Sequence, residues 1–554
     1  MRRSALSITY VFGIFVILAC LPVAARTGTD RRGVATDPRA KSLAEAFALR
    51  DLAAIDSLLR EGVELANNGV DHAFADAALQ GDTAMFFTIA RHRRKVNNLT
   101  ILLHSAVKGG SHTLADQVLC RYGKPERAYS QREYAALPLA ARMNDTRMVG
   151  LLIQCWMDTE QVDETGRTAM MYASRHGNVE MMRLLTAYDA SLHPTRDNHQ
   201  AETLVYLAAE SRNPEAVRFL LDHGAEALAR GYEHELTCID IAARHGDTEI
   251  VAMLIGHGIS PDKGISTGKT PLIYAIEEGH YETTRYLLEQ GAHPRIRYSH
   301  ATNTGSPLAV AAANGDQEIL TLLLDYLGDE PSIHFHLLEA VRAASNNGHI
   351  ATIRFLLDLS SVPLSVSQIH TWLESAATAG QAASVRFWLD HGADPNVRNS
   401  SYGLTPLMAA AEAGRTDVVR ILIERGADVN YFYRGQGQTA LMRAAIYGHF
   451  EVVKLLVENG ADTDRTDFRG GASGLMYAAE RDDPAIAGYL LAQGACPDVT
   501  DFKGDNALMW AAYAGSEECT RLLLSKGFDP DFRNKRGQTP LMKGGHAALQ
   551  RDRQ

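Results

Sequence analysis

Gly264-Ile265-Ser266-Thr267-Gly268-Lys269-Thr270 has the residue types of a phosphate-binding loop: two glycines, a lysine and a threonine. Such a loop needs four residues between its glycines, and this stretch has three. It also needs a buried strand ahead of it, whose end aims backbone N–H groups at the phosphates. Leu254-Ile255-Gly256-His257-Gly258 reads instead as a helix end, and Gly268-Lys269-Thr270-Pro271-Leu272 as the start of another unit. Nucleotide binding is not expected here.

The 21 histidines raise the question of a metal. His280, His349 and His449 each follow a glycine in the middle of a recurring unit, and His223, His257 and His391 sit where a second helix ends. A partial positive charge suits that carbonyl end. These positions are spread along the chain. His334-Phe335-His336 is a tight pair, but no Cys or acid cluster completes a zinc set beside it. No Gly-x-Ser-x-Gly elbow, His-Glu-x-x-His helix or Cys-x-x-Cys pair occurs. Met408, Met442, Met476, Met509 and Met542 form a stripe at one position of successive units, which reads as packing between neighbouring helices. No catalytic residue, cofactor or metal site is assigned.

Six cysteines are scattered at Cys20, Cys120, Cys155, Cys238, Cys496 and Cys519, which is not a disulfide framework. Cys120 and Cys155 fall near the same place in neighbouring units, but stacked helices lie about 8–10 Å apart. A bridge wants Cα atoms within about 7 Å. Free, mostly buried thiols are expected.

What must position any functional residue is a unit seen twice between Gly403 and Asp464. It reads GLTPLMAAAEAGRTDVVRILIERGADVN and then GQTALMRAAIYGHFEVVKLLVENGADTD. Thr405-Pro406 suits a helix start, because threonine caps free N–H groups and proline's missing N–H costs nothing at the first position. Leu407, Ala410 and Ala411 follow at helical spacing, and Gly414 breaks the helix. A second helix is predicted from about Thr416 to Arg425, with Val418, Val419, Leu422 and Ile423 as its apolar stripe. Gly426 sits where a left-handed cap belongs. Helices shorter than about 12–15 residues are marginal alone in water. Each unit must therefore bury a face on its neighbour.

The pattern G-x-TPL-x-x-AA-x-x-G…LL-x-x-GA-D resembles the ankyrin repeat, whose period is about 33 residues. The second unit has Ala440 where the first has proline, which should weaken its capping, and both carry Met where the family usually has histidine. Residues matching Leu407 recur at Leu137, Met170, Val205, Ile239, Leu272, Leu308, Val341, Leu373, Leu441, Leu475, Leu508 and Leu541, with separations of 32 to 36. Weaker copies sit at Leu43, Phe74 and Leu103. The fold class is an all-α ankyrin-repeat solenoid of about sixteen helix-turn-helix units, degenerate at the N-terminal end. Degenerate 42–160 precedes better repeats at 161–358, an irregular repeat and joint at 359–402, and well-formed repeats at 403–554. Extra loop residues around Pro331 and Pro363 suggest a bend. Gly544-Gly545 should interrupt the first helix of a truncated last unit.

Residues 1–25 differ in kind. Arg2 and Arg3 precede an apolar run, and Val23-Ala24-Ala25 offers small residues for cleavage, the pattern of a secretory signal. Lipid attachment at Cys20 and an uncleaved anchor are the alternatives. All three put the array outside the cytoplasm, and a bacterial, periplasmic or secreted protein is expected. Residues 26–41 read as a basic linker. Cleavage would take the net charge from −11 to −13, since Arg2 and Arg3 leave and no acid does. Nucleic acid, which calls for a basic face, is not the expected partner. Arg91-His92-Arg93-Arg94-Lys95 is the exception, and reads as a solvated helix end.

In the ankyrin family, partners usually meet loop tips and the exposed face of the first helices. The resemblance thus implies protein–protein contact through Tyr431, Tyr433, Arg434, Phe468 and Phe502 in loops, and Tyr447, Arg481 and Tyr513 on first helices. Exposed aromatics and arginines at neighbouring sites are typical of binding hot spots. The alternative is that these rings pack on the adjacent unit and only shape the loops. The functional expectation is an envelope or periplasmic interaction scaffold without enzymatic activity or small-molecule substrate. Its alternatives are a secreted effector binding a protein of another cell, or an enzyme using a site in residues 26–160.

Overall fold

The structure is a computed structural model that describes residues 38–551, apart from 64–68, 93–98, 124–134, 156, 194–202, 228–235, 264–268, 296–297, 301–302, 329–332, 360–363, 399–402 and 433–434. The signal-like residues 1–25, the glycine-rich stretch 264–268, Pro331 and Pro363, and the candidate contacts Tyr433 and Arg434 lie outside the described residues.

Two compact units divide between Ser266 and Thr267. Among the described residues, the first holds seven helix pairs, from Pro38–Leu49 with Leu52–Arg60 to Cys238–His245 with Thr248–Gly256. The second holds eight, from Pro271–Glu277 with Tyr281–Glu289 to Ala507–Ala514 with Glu517–Ser525, followed by a single helix, Pro540–Arg551. Within each unit, first helices pack on first helices and second on second.

The period is explained by burial. Every residue matching Leu407 is at most 3 % exposed, including Leu43, Phe74 and Leu103, except Leu541 at 84 %. Among the described residues, Pro540–Arg551 has no second helix packed against it, unlike the other first helices. Met408, Met442, Met476 and Met509 are likewise buried between first helices, whereas Met542 is exposed. On the second helix of the Gly403 repeat, Val418, Val419, Ile421 and Leu422 are buried, and Ile423 is only half-buried. Ile421, not Ile423, belongs to the stripe.

Thr405 accepts the Met408 N–H at 3.3 Å, and Thr439 accepts that of Met442 at the same distance. Capping therefore survives the loss of proline at Ala440, because the hydroxyl does the work. Ser473 and Asn506 serve the next two units in the same way.

Among the described first helices, Ile333–Asn347 and Val366–Ala379 are the longest. Beside them Trp388 is fully buried, its ring centre 4.9 Å from that of Trp372 at a tilt of 39°, and it donates its indole N–H to Ser345 Oγ at 2.7 Å. Contrary to the sequence expectation, the last helix runs straight through Gly544 and Gly545. A Cβ at Gly544 would lie 3.1 Å from the Ala512 carbonyl oxygen, so close packing on Ala507–Ala514 holds the helix despite poor propensity. Among the described residues the loops are mostly turns, with one short antiparallel hairpin pairing Tyr298–His300 with Asn303–Gly305.

Candidate interaction surface

Each loop tip of the last repeats is built around an inward-facing polar side chain. Asp467 Oδ1 accepts the N–H groups of Gly470 and Gly471 at 2.9 Å and of Ala472 at 3.2 Å, while Oδ2 accepts the Tyr477 hydroxyl. Asp501 accepts from Lys503 N and Asp505 N at 2.8 Å and from the Trp510 indole at 3.1 Å. Asn534 accepts from Arg536 N and Gln538 N at 2.9 Å. All three side chains are buried. Burial, together with the hydrogen bond to Asp467, pushes the Tyr477 phenol well above its usual range.

Turning the polar group inward throws the next residue outward. Phe468, Phe502 and Lys535 occupy that place, and each donates its backbone N–H to the previous tip: to Gln436 O at 2.7 Å, Gly470 O at 2.8 Å and Lys503 O at 3.1 Å. The following glycines, Gly437, Gly471 and Gly504, lie under these side chains at positive φ. One face of each ring thus covers a glycine, yet Phe468 remains 53 % and Phe502 58 % exposed. The rings both shape the loops and face solvent. Half-buried Phe432 extends the cluster, 5.3 Å from Phe468 and 6.2 Å from Tyr431, with the Arg465 guanidinium 4.2 Å above its ring.

On the first helices Tyr447 and Tyr513 are about half exposed. Glu412 lies beside Tyr447, pushes its phenol up, and pairs with Arg443. Lys543 stands 5.4 Å from the centre of the Tyr513 ring and pairs with Asp505. Tyr477 and Trp510 meet edge to face at 5.7 Å. Arg481 is placed differently. Its guanidinium lies on Gly448 and donates to Ile446 O at 3.3 Å, so it braces the end of the preceding first helix. His449 does the same for Glu412 O at 2.9 Å, Arg415 for Thr378 O at 3.3 Å and Ser516 for Glu480 O at 3.1 Å.

These braces account for a histidine after the mid-unit glycine. His223, His257 and His391 use Nδ1–H on the carbonyl four residues back, at 2.7 to 2.8 Å. Lys269, the lysine of the glycine-rich stretch, pairs with Glu277 at 2.5 Å and lies 4.2 Å over Tyr274. No described helix is long and apolar enough to cross a membrane.

Arg465, Arg443, Trp510 and Lys543 join the surface without having been picked out in the sequence. Trp510 had a signal, since it occupies the helix position of Tyr477 one repeat on. The five described free cysteines are less buried than expected: Cys238 and Cys519 are buried, Cys155 and Cys496 are intermediate, and Cys120 is exposed. In the first unit a 360 Å³ cleft is lined by His104, Lys108, Leu139, Arg142, Asp163 and Glu164. Burial raises the Asp163 carboxyl, but hydrogen bonds from Tyr172, Thr165 and Arg167 outweigh this and hold it below its usual value. Its oxygens thus serve the loop.

The family model described as ankyrin repeats (3 copies) matches residues 137–231, 226–298, 308–399, 373–467 and 475–548. Similar curated proteins include the transient receptor potential cation channel subfamily A member 1 homolog of Caenorhabditis elegans, 30 % identical over 34 % of this chain and 15 % of that protein. The human subfamily A member 1 is 26 % identical over 30 % of the chain and 15 % of its own length. The B-cell lymphoma 3 protein homolog of Mus musculus is 33 % identical over 21 % of the chain and 26 % of its own length. The chain thus spans about a quarter or less of these relatives, which are animal proteins, and a mimivirus ankyrin repeat protein is also similar. Nothing in these relatives supports the expected bacterial origin.

Proposed function

Starting from the fact that this chain belongs to the ankyrin-repeat family, we propose that it is a protein-binding scaffold working through the face formed by the 431–513 loops and first helices. What supports this is the exposure of Phe468 and Phe502 on tips whose backbone is fixed by hydrogen bonds to the tips before them. Large rings held rigidly lose little conformational freedom when a partner docks. Tyr447 and Tyr513 widen the same face. Recognition is by surface complementarity, with no bond made or broken.

The proposed setting is outside the cytoplasm, in an envelope, a periplasm or the medium. Its support is the Arg2-Arg3, apolar, Val23-Ala24-Ala25 order of residues 1–25. Fractionation of the native source, with N-terminal sequencing of the mature chain, tests that address. A chain retained in the cytoplasm with Met1 or Arg2 at its start would overturn it.

The binding reading is tested by crosslinking and affinity capture from native extract, comparing wild type with a Phe468→Ala, Phe502→Ala, Tyr513→Ala variant of unchanged helix content. A protein captured by wild type and lost by the variant is the expected result. Equal capture by both would remove this face from the function.

A further inference from the structure

Three successive loop tips present cations to solvent while their acids turn inward. The exposed pairs are Phe468-Arg469, Phe502-Lys503 and Lys535-Arg536. Behind them Asp467, Asp501 and Asp505 are 2 %, 6 % and 2 % exposed, their oxygens committed to loop N–H groups, Tyr477, Trp510, Asn534 or Lys543. Arg469, Lys503 and Arg536 make no ion pair or side-chain hydrogen bond among the described residues. Lys535 Nζ holds the Phe502 carbonyl at 3.0 Å and remains exposed. A chain of net charge −11 thus displays a local row of positive charge interleaved with two phenyl rings.

We propose that this row binds an extended acidic segment of a partner protein, with carboxylates at about every third residue. This rests on the scaffold reading above and names its partner's chemistry. The spacing follows from the stack. Neighbouring helices lie about 8–10 Å apart, so adjacent tips repeat at about that distance. A segment in the extended polyproline II conformation has three residues per turn and rises about 3.1 Å per residue, so every third side chain returns to the same face about 9 Å on, at a new tip. Small apolar side chains between the acids lie against Phe468 and Phe502.

A nucleic acid fits less well. The exposed acids Asp462, Asp464, Asp498, Asp529 and Asp531 stand at the starts of the same loops. They oppose a backbone that carries charge at every residue, whereas a peptide with spaced carboxylates need not approach them.

The test is fluorescence anisotropy with the full chain and a labelled peptide of Asp-Val-Ser repeated five times. Comparison probes are a peptide of the same composition with its acids gathered at one end, and a fifteen-nucleotide single-stranded DNA. The variants are Arg469→Ser, Lys503→Ser, Arg536→Ser together, and Phe468→Ala, Phe502→Ala together, each checked for an unchanged melting curve. The spaced peptide should bind wild type more tightly than either probe, lose affinity as salt rises, and bind the charge variant about tenfold more weakly, as three exposed ion pairs imply. Absent binding, equal binding by the charge variant, or tighter binding of the DNA would overturn the inference. A charge variant that still captures the native partner, lost by the ring variant, would sink the acidic-segment inference and leave the scaffold reading standing. A ring variant that captures as wild type would sink the scaffold reading itself.

Discussion

The backbone N–H of Phe502 donates to the carbonyl of Gly470 at 2.8 Å, tying one loop tip to the tip before it. The ring then settles on Gly471, where φ is +81° and an added Cβ would lie 2.7 Å from Phe502 Cδ1. Gly471→Ala should cost about 1–3 kcal/mol, from left-handed strain and displacement of the ring. Denaturant unfolding reads the loss, and partner capture should weaken with it. An unchanged midpoint would mean the ring does not lie on the glycine.

Asp467 gathers three backbone N–H groups and the Tyr477 hydroxyl in a buried site. Asp467→Ala should cost about 3 kcal/mol, because the donors left behind have no partner. Tyr477→Phe removes the bond to Asp467 and a long one accepted from Gln438 at 3.5 Å, leaves the three loop N–H bonds in place, and should cost less, about 1–2 kcal/mol. Comparable losses for the two variants would contradict the wrapped-loop description.

His449→Ala breaks the bond to Glu412 O, an inter-repeat brace. A loss of about 1 kcal/mol is expected in thermal or chemical unfolding. If His449 instead served a metal, adding a chelator to wild type would reproduce the loss, and it should not.

Burial pushes the Cys238 and Cys519 thiols up to about 12 from an ordinary 9.0, with nearby carboxylates adding to it. Their neutral forms therefore favour the fold fully below pH 9.0, and that contribution fades as pH rises toward 12. Stability should fall on the alkaline side over that window. A thiol reagent at pH 8 should modify exposed Cys120 first and reach Cys238 and Cys519 only on unfolding. Rapid modification of all thiols in the native chain would contradict this.

Leu407 and Leu541 occupy the same repeat position with 1 % and 84 % exposure. Leu407→Ala should cost about 2–5 kcal/mol. Leu541→Ala should stay within about 0.5 kcal/mol. Similar losses at both would show that something covers Leu541 in solution.

Tyr433 and Arg434 aside, every candidate contact residue lies in a described loop or at a first helix; Phe468 and Phe502 face solvent, whereas Tyr431 is half-buried. Arg481 shows the limit of reading such positions. Its residue type suggests a hot spot, but its guanidinium is spent on Gly448 and Ile446 O. That partner lies 35 residues earlier, and no local pattern announces it.

Sequence alone determined the helix pair, the period and the core. A buried position recurring every 32 to 36 residues leaves a hydrophobic signature that local spacing reveals. Thr405, Thr439 and the loop glycines mark the helix ends for the same local reason. Tertiary structure decided which polar groups turn inward, which rings lie on a glycine, and which side chains brace a neighbour. It also carried a helix through Gly544 and Gly545 by pressing it onto Ala512, where propensity predicted a break. Those outcomes depend on carbonyls and backbones one repeat away, brought into contact only when the units stack.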